Sequence, residues 1–298
     1  MLTIVGGCFR IYIELTAGPT GNPFIDAWAI WDAGWYLEIA TNGYANEVTG
    51  RGQASYAFFP LFPYLIQFVG LVIPHKVFAA LLVSNVSLVA AAVALFRWVK
   101  LDYGEEKAHA AVVTFFVFPT SFILGAAMSE SLFLVCALLC LYTARKGRFG
   151  WAGLWGLLAV LTRSMGLFLV MPLAYEIYHR HKKLHAHFLW LLMLPLGLCL
   201  FGLMVYQITG DPLAFLTIQK AWLRETTNPL SVLIQGLATT EENAFVFNAA
   251  LSIILGFLLI ISYRQLRRGD YFFCIALFFF PLSAGIVSLY SMMRFTAV

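Results

Sequence analysis

Four short stretches of this chain set polar groups into apolar surroundings: Trp31-Asp32 with Tyr36 and Glu38, Ser129-Glu130-Ser131, Thr162-Arg163-Ser164, and Arg294. The first two supply carboxylates and the last two supply guanidinium groups. A guanidinium presents a planar fork of donors that matches phosphate oxygens, and it keeps its charge in apolar surroundings. A carboxylate beside it can take the proton of an attacking hydroxyl. The set suits group transfer from an anionic phosphate ester, provided the stretches meet in space. Each also has a plainer reading. Asp32 can be the polar face of an interfacial helix, Glu130 can serve the N-terminus of a helix behind Ser129, and Arg163 can snorkel to the lipid boundary. Asp26 and Glu38 read as surface.

The rest of the chain is the frame that must position these groups. Hydrophobic residues make up 61% of its 298 positions and charged residues only 11%. A soluble chain carries about a quarter charged residues, so the composition implies an all-α, polytopic membrane helical bundle, read as one transmembrane domain over 1–298. There is no Walker A loop, G-x-G-x-x-G or H-E-x-x-H, and the net charge of +4 is small, so soluble nucleotide chemistry and a nucleic-acid partner find no support. Cys8, Cys136, Cys140, Cys199 and Cys274 all lie in apolar runs, where packing is the expected role rather than a metal or redox pair.

Residues 18–58 read as the first outer loop. Asn22 suits an N-cap, Pro23 the first helical position and Asn42-Gly43 a C-cap, which predicts one helix across 22–42 lying at the membrane surface. In such a helix Trp28, Trp31 and Trp35 stack along one side, at headgroup level, with Asp32 among them. Later, apolar 108–127 is broken by Pro119, and the 28 residues of 151–178 are divided by Thr162–Gly166. Basic clusters at 145–148, 180–183 and 264–268 mark the inside, which sends Ser129–Ser131, Thr162–Gly166, the 209–243 loop and Arg294 to the opposite side. Asp32 joins them only if 57–107 crosses an odd number of times, yet hydropathy offers two runs there. A re-entrant or tilted, proline-rich 57–73 removes that conflict. Gly150, Gly153 and Gly156 at spacing three point to close helix packing. In HRHKKLHAH (179–187) the flanking Arg180, Lys182 and Lys183 favour a cytoplasmic basic collar over a metal site. Lys220, Trp222 and Arg224 either meet acceptor or lipid headgroup or edge a loop helix. The opening MLTIVGGCFRIYIELTAG and the closing SMMRFTAV read as partial helices of a longer protein.

In order and spacing, WDAGWYLEIATNGY (31–44), FFPLFP (58–63), FPTSFILGAAMSESLF (118–133) and LTRSMG (161–166) resemble the motif series of the PIG-V family. That family comprises integral-membrane mannosyltransferases of GT-C-type fold, which in eukaryotes add the second mannose of the GPI anchor. GDPLAFLTIQKAW (210–222) is similar to its compact prokaryotic members. The resemblance implies a sugar donor on a polyprenyl or dolichyl monophosphate and a glycolipid, glycan or protein acceptor. It implies work on the outer or lumenal face of a multi-pass protein, in a bacterial plasma membrane or a eukaryotic endoplasmic reticulum. It implies that Asp32 is the catalytic base, that Glu130 is a second acid, and that Arg163 with Arg294 binds donor phosphate. Trp31, Tyr36, Ser129, Ser131 and Ser164 are the candidate substrate contacts beside them. No metal or other cofactor is required, although paired acids leave Mg or Mn open. A lipid or sugar transporter (or flippase) and a non-catalytic assembly subunit are the competing classes. The first should show inverted repeats or midplane charges, and the second has no use for Asp32 and Arg163 together.

Overall fold

Helix is the only regular secondary structure among the described residues, which are 20–239, 243–289 and Met292 of a computed structural model. A helix closes its own backbone hydrogen bonds, which is the condition for entering lipid. The chain begins with α1 (Pro23–Asp26), α2 (Ala33–Asn42), α3 (Leu61–Val69) and α4 (Lys76–Tyr103). It continues through α5 (Glu105–Val117), α6 (Glu130–Arg145), α7 (Phe149–Thr162), α8 (Val170–His181) and α9 (Met193–Thr209). The last elements are α10 (Ala214–Thr217), α11 (Pro229–Ala238), α12 (Asn243–Ile261) and α13 (Arg268–Leu282). Among the described residues three stretches, Lys76–Tyr103, Ala186–Thr209 and Ala244–Arg264, are long and apolar enough to cross a membrane.

Helix α6 is the axis of the bundle. Twelve of its 16 residues are buried, on every side, so it packs in the core rather than along an edge. Helix α4 lies against it through Ala80, Ser84, Ser87, Ala91 and Ala94, a buried stripe of small residues at spacings four and three that lets two helices approach closely. Ser84 Oγ donates to the Met128 carbonyl at 3.0 Å, and Asn85 Nδ2 donates to the Gly125 carbonyl at 3.1 Å. Both bonds tie α4 to the segment that leads into Glu130. Gly153 and Gly156 bring α7 against the chain entering α9: an added Cβ would come within 2.8 Å of the Trp190 carbonyl oxygen and 2.9 Å of Leu194. Cys136 and Cys140 are free and buried. The glycine spacing and these two cysteines serve packing, while Cys199 is exposed.

The proline-rich segment proves too short to cross. Helix α3 has nine residues, or about 13 Å, against the ~30 Å of a hydrocarbon core. In this part of the chain only α4, at 28 residues, is long and apolar enough to cross, which fits an odd number of crossings over 57–107. Pro119 ends α5 at Val117, because a residue before proline is pushed out of the helical region. Residues 151–178 divide at Arg163, as their length requires.

The surface stretch departs from expectation. Its caps are where the sequence puts them: the Asn22 side chain accepts from Phe24 N, and Gly43 follows the last residue of α2. The interior is not one helix. The Trp28 carbonyl, which a continuous helix would offer to Asp32 N–H, accepts instead from Ala127 N at 2.8 Å. Trp31 then adopts a left-handed φ of 54°. The tryptophan stripe is therefore broken, and the amphipathic surface helix shrinks to Ala33–Asn42, with Tyr36, Ile39 and Ala40 turned inward.

The two ends of α6 carry the buried charges. At its C-terminus Arg145, 5% exposed, binds three carboxylates: Asp102, Glu176 at 3.3 Å and Asp270 at 2.6 Å. Arg267 reaches Asp102 at 3.2 Å and Glu176 at 3.1 Å, while the Arg180 guanidinium lies over Gly147. All three basic clusters therefore gather at one end, with acids among them that composition alone did not reveal. Removing one partner of a buried charge network costs about 3–5 kcal/mol. Arg145→Ala should accordingly lower the melting temperature of the detergent-purified protein sharply, and Arg145→Lys, which lacks the fork, should recover only part of the loss.

Candidate active site

The opposite end of α6 gathers residues from three separated stretches. Glu130, 1% exposed, accepts from Arg163 Nη1 at 2.8 Å, and the same nitrogen donates to Ser129 Oγ at 3.2 Å. Ser129 Oγ also shares a 2.8 Å hydrogen bond with the Tyr36 hydroxyl. Ser129 occupies the N-cap position of α6 but makes no capping bond with its side chain, so the hydroxyl serves this cluster and not the helix end. Glu130 likewise pairs with a guanidinium rather than only facing the helix terminus.

Asp32 completes the group. It is half-buried at the N-cap position of α2, again without a side-chain capping bond. One helical turn on stands Tyr36, whose phenol feels Arg163, Glu130 and Asp32 together. Burial, the largest influence, pushes that phenol up to about 12; Arg163 opposes the shift, and the two acids add to it. Tyr36 is therefore protonated at neutral pH and can donate. Its ring is seated edge-on against Phe58 at 5.3 Å and Phe62 at 5.0 Å. Trp35 stacks on Phe58 at 5.6 Å, and Trp222 meets both rings at 6.2 and 5.8 Å. The aromatic wall brings the 209–243 loop to the site end. Trp222 is thus a neighbour of the site, while Lys220 and Arg224 are exposed.

The remaining expected positions lie around this cluster. Ser131 is fully buried and donates to the Leu124 carbonyl at 2.5 Å, so its hydroxyl proton fastens the segment before α6 rather than facing a substrate. Trp31 is 53% exposed and supplies the turn before Asp32; a left-handed residue with a Cβ costs about 1–2 kcal/mol. Ser164 is half-buried beside Arg163. Glu38 is exposed and accepts from Asn42, and Asp26 accepts from Thr20 at 2.7 Å, as surface groups. Arg294 lies outside the described residues.

Arg163 owes its place to the backbone. Helix α7 ends at Thr162, Arg163 is extended at φ −155° and ψ 141°, and a 3-10 turn over Ser164–Leu169 folds back on α7. Gly166 permits that return: an added Cβ would stand 2.5 Å from Val160 N and 2.6 Å from Ala159 C, both backbone atoms that cannot yield. This requirement was hidden in the LTRSMG motif. Gly166→Ala should therefore cost roughly 1–3 kcal/mol of stability, read as a lower melting temperature. It should also reduce activity more than stability alone explains, because the turn that carries Arg163 must shift.

A family model for mannosyltransferase (PIG-V) matches residues 20–221, more than half of the chain and the whole of this charged cluster. No curated protein and no solved structure matches the chain. The match agrees with the motif series, and the four-residue cluster of Tyr36, Ser129, Glu130 and Arg163 lies on three of those motifs. The chain belongs to the PIG-V mannosyltransferase family and is an integral-membrane glycosyltransferase.

Proposed function

We propose that the protein transfers mannose from a polyprenyl- or dolichyl-phosphate donor to a hydroxyl of a glycolipid, glycan or protein, in one inverting step, on the non-cytoplasmic face of a multi-pass bundle. The observation that carries this reading is the Arg163 guanidinium, held by Glu130 and Ser129 beside a phenol that also feels Asp32. Its setting at the end of α6 away from the basic clusters supports the assignment of face.

The acceptor oxygen attacks the anomeric carbon as the bond from that carbon to the phosphate oxygen breaks. The electron pair leaves with the lipid phosphate, and the hydroxyl proton passes to the Asp32 carboxylate. A phosphate ester is a weak base, so its departure needs charge stabilisation rather than a strong acid, and Arg163 supplies that. A guanidinium carries five donors in one plane and can engage Glu130 and a phosphate at the same time. Glu130 acts through Arg163, as a positioning residue. The 1% exposure of its side chain fits that task better than contact with an acceptor. The acceptor class stays as broad as hydroxyl-bearing glycans, because no residue of the cluster distinguishes among them.

Membranes carrying the protein, incubated with radiolabelled polyprenyl-phosphate mannose, should label a lipid or protein fraction. Asp32→Asn should lower that transfer at least 100-fold, in the range of a lost general base, with expression and donor binding retained. Survival of transfer in Asp32→Asn overturns the assignment of the base. Arg163→Ala should weaken donor binding by roughly 10- to 100-fold, the worth of hydrogen bonds to a charged group. Unchanged donor affinity in that variant overturns the phosphate assignment.

A further inference from the structure

Three of the six histidines converge at the end of the bundle remote from Arg163. His181 closes α8, and Lys182, left-handed at φ 56°, turns the chain so that His185 and His187 come back over it. One ring nitrogen from each lies within 4.8 Å of the others. His181 Nε2 and His187 Nδ1 are 3.0 Å apart. The His181 and His185 rings stack at 3.8 Å and 5°, and His185 lies 4.4 Å from His187, centroid to centroid. Phe149 backs His181 at 6.0 Å and His187 at 5.0 Å, closing the apolar side.

Packing alone is a poor account of this grouping. Three imidazoles at contact distance, next to Arg180, Lys182 and Lys183, repel one another if protonated, and in water they gain little by assembling. His185 Nδ1 accepts from the His187 backbone N–H at 3.2 Å, which orients that ring without metal; ligation through Nε2 moves the ring proton to Nδ1 and opens that contact.

We propose that His181, His185 and His187 form a three-imidazole site for a divalent transition-metal ion of the zinc class, with water at the fourth position. Imidazole nitrogens suit zinc, nickel and copper, whereas magnesium and calcium want oxygen. The adjacent cations reinforce that choice, because only a strongly coordinated ion binds against their repulsion. Tetrahedral zinc with bonds of about 2.0–2.1 Å holds its nitrogens roughly 3.3 Å apart. The 3.0 Å contact therefore opens by a few tenths of an ångström on loading. The stacked pair tilts out of parallel, since the lone pairs of parallel rings do not meet at one point. The ion clips the end of α8 to the chain entering α9, apart from the transfer chemistry, so this site stands or falls independently of the proposed reaction.

The test uses the full chain without a histidine tag, purified in detergent, stripped with a chelator and titrated with Co2+ as a coloured substitute for Zn2+. The expected result is one equivalent bound, with the intense absorption of a four-coordinate centre, displaced by Zn2+, and a melting temperature raised by Zn2+. His187→Gln and His185→Gln should each weaken binding at least tenfold, by analogy with the tenfold or greater loss on disturbing even an outer-sphere partner. His179→Gln should leave it unchanged, since His179 faces Tyr175 at 5.7 Å and stands outside the cluster. Circular dichroism of the metal-free variants checks that they fold. Absence of stoichiometric binding, a weak six-coordinate spectrum, or binding that persists when all three histidines are replaced overturns the site.

Discussion

A buried helix shorter than the membrane's apolar layer sets the terms for this structure. Helix α6 runs 16 residues, about 24 Å, against a hydrocarbon core of about 30 Å. Its ends carry Glu130 and Arg145, both buried in protein, where an unpaired charge is costly. Each end is sealed by protein and neutralised by opposite charge. Arg145 is met by three carboxylates and Glu130 by Arg163. The rest of the bundle can be understood as what brings those partners in.

The two ends solve the problem differently. At the Arg145 end the partners come from α4, α8 and α13, and the result joins the C-terminal helices to the body that the family model covers. At the Glu130 end one guanidinium bonds Glu130 and Ser129, the serine hydroxyl bonds Tyr36, and Asp32 is close enough to act on that phenol. An ion pair built from many fixed partners suits structure. The Glu130–Arg163 pair lies beside an aromatic wall and on the family's motifs, and the functional proposal rests on that setting.

Backbone choices around the site carry a cost that the tertiary contacts offset. Trp31 is left-handed and Arg163 is extended between two helical turns. Neither conformation is what the local sequence prefers. The Ala127 N–H that captures the Trp28 carbonyl and the absence of a Cβ at Gly166 hold them in place, and each sets the direction of one charged side chain. The same division appears at the histidine turn, where Lys182 takes the left-handed position that lets three rings meet.

By itself the sequence determined the helical class, the caps at Asn22 and Gly43, the breaks at Pro119 and Arg163, the gathering of basic clusters at one end, and the family. These follow from composition, from residues whose backbone chemistry is local, and from motifs in a fixed order. It also named Asp32, Tyr36, Ser129, Glu130 and Arg163, because polar groups in apolar runs are rare enough to stand out. Only the tertiary structure decided that the tryptophan stripe is broken, that Ser131 serves the backbone while Ser129 does not cap its helix, and that Asp102, Glu176 and Asp270 converge on Arg145. The reason is physical. A carbonyl taken by a distant N–H, or a carboxylate finding a guanidinium from another helix, depends on separations in space that no periodicity along the chain records.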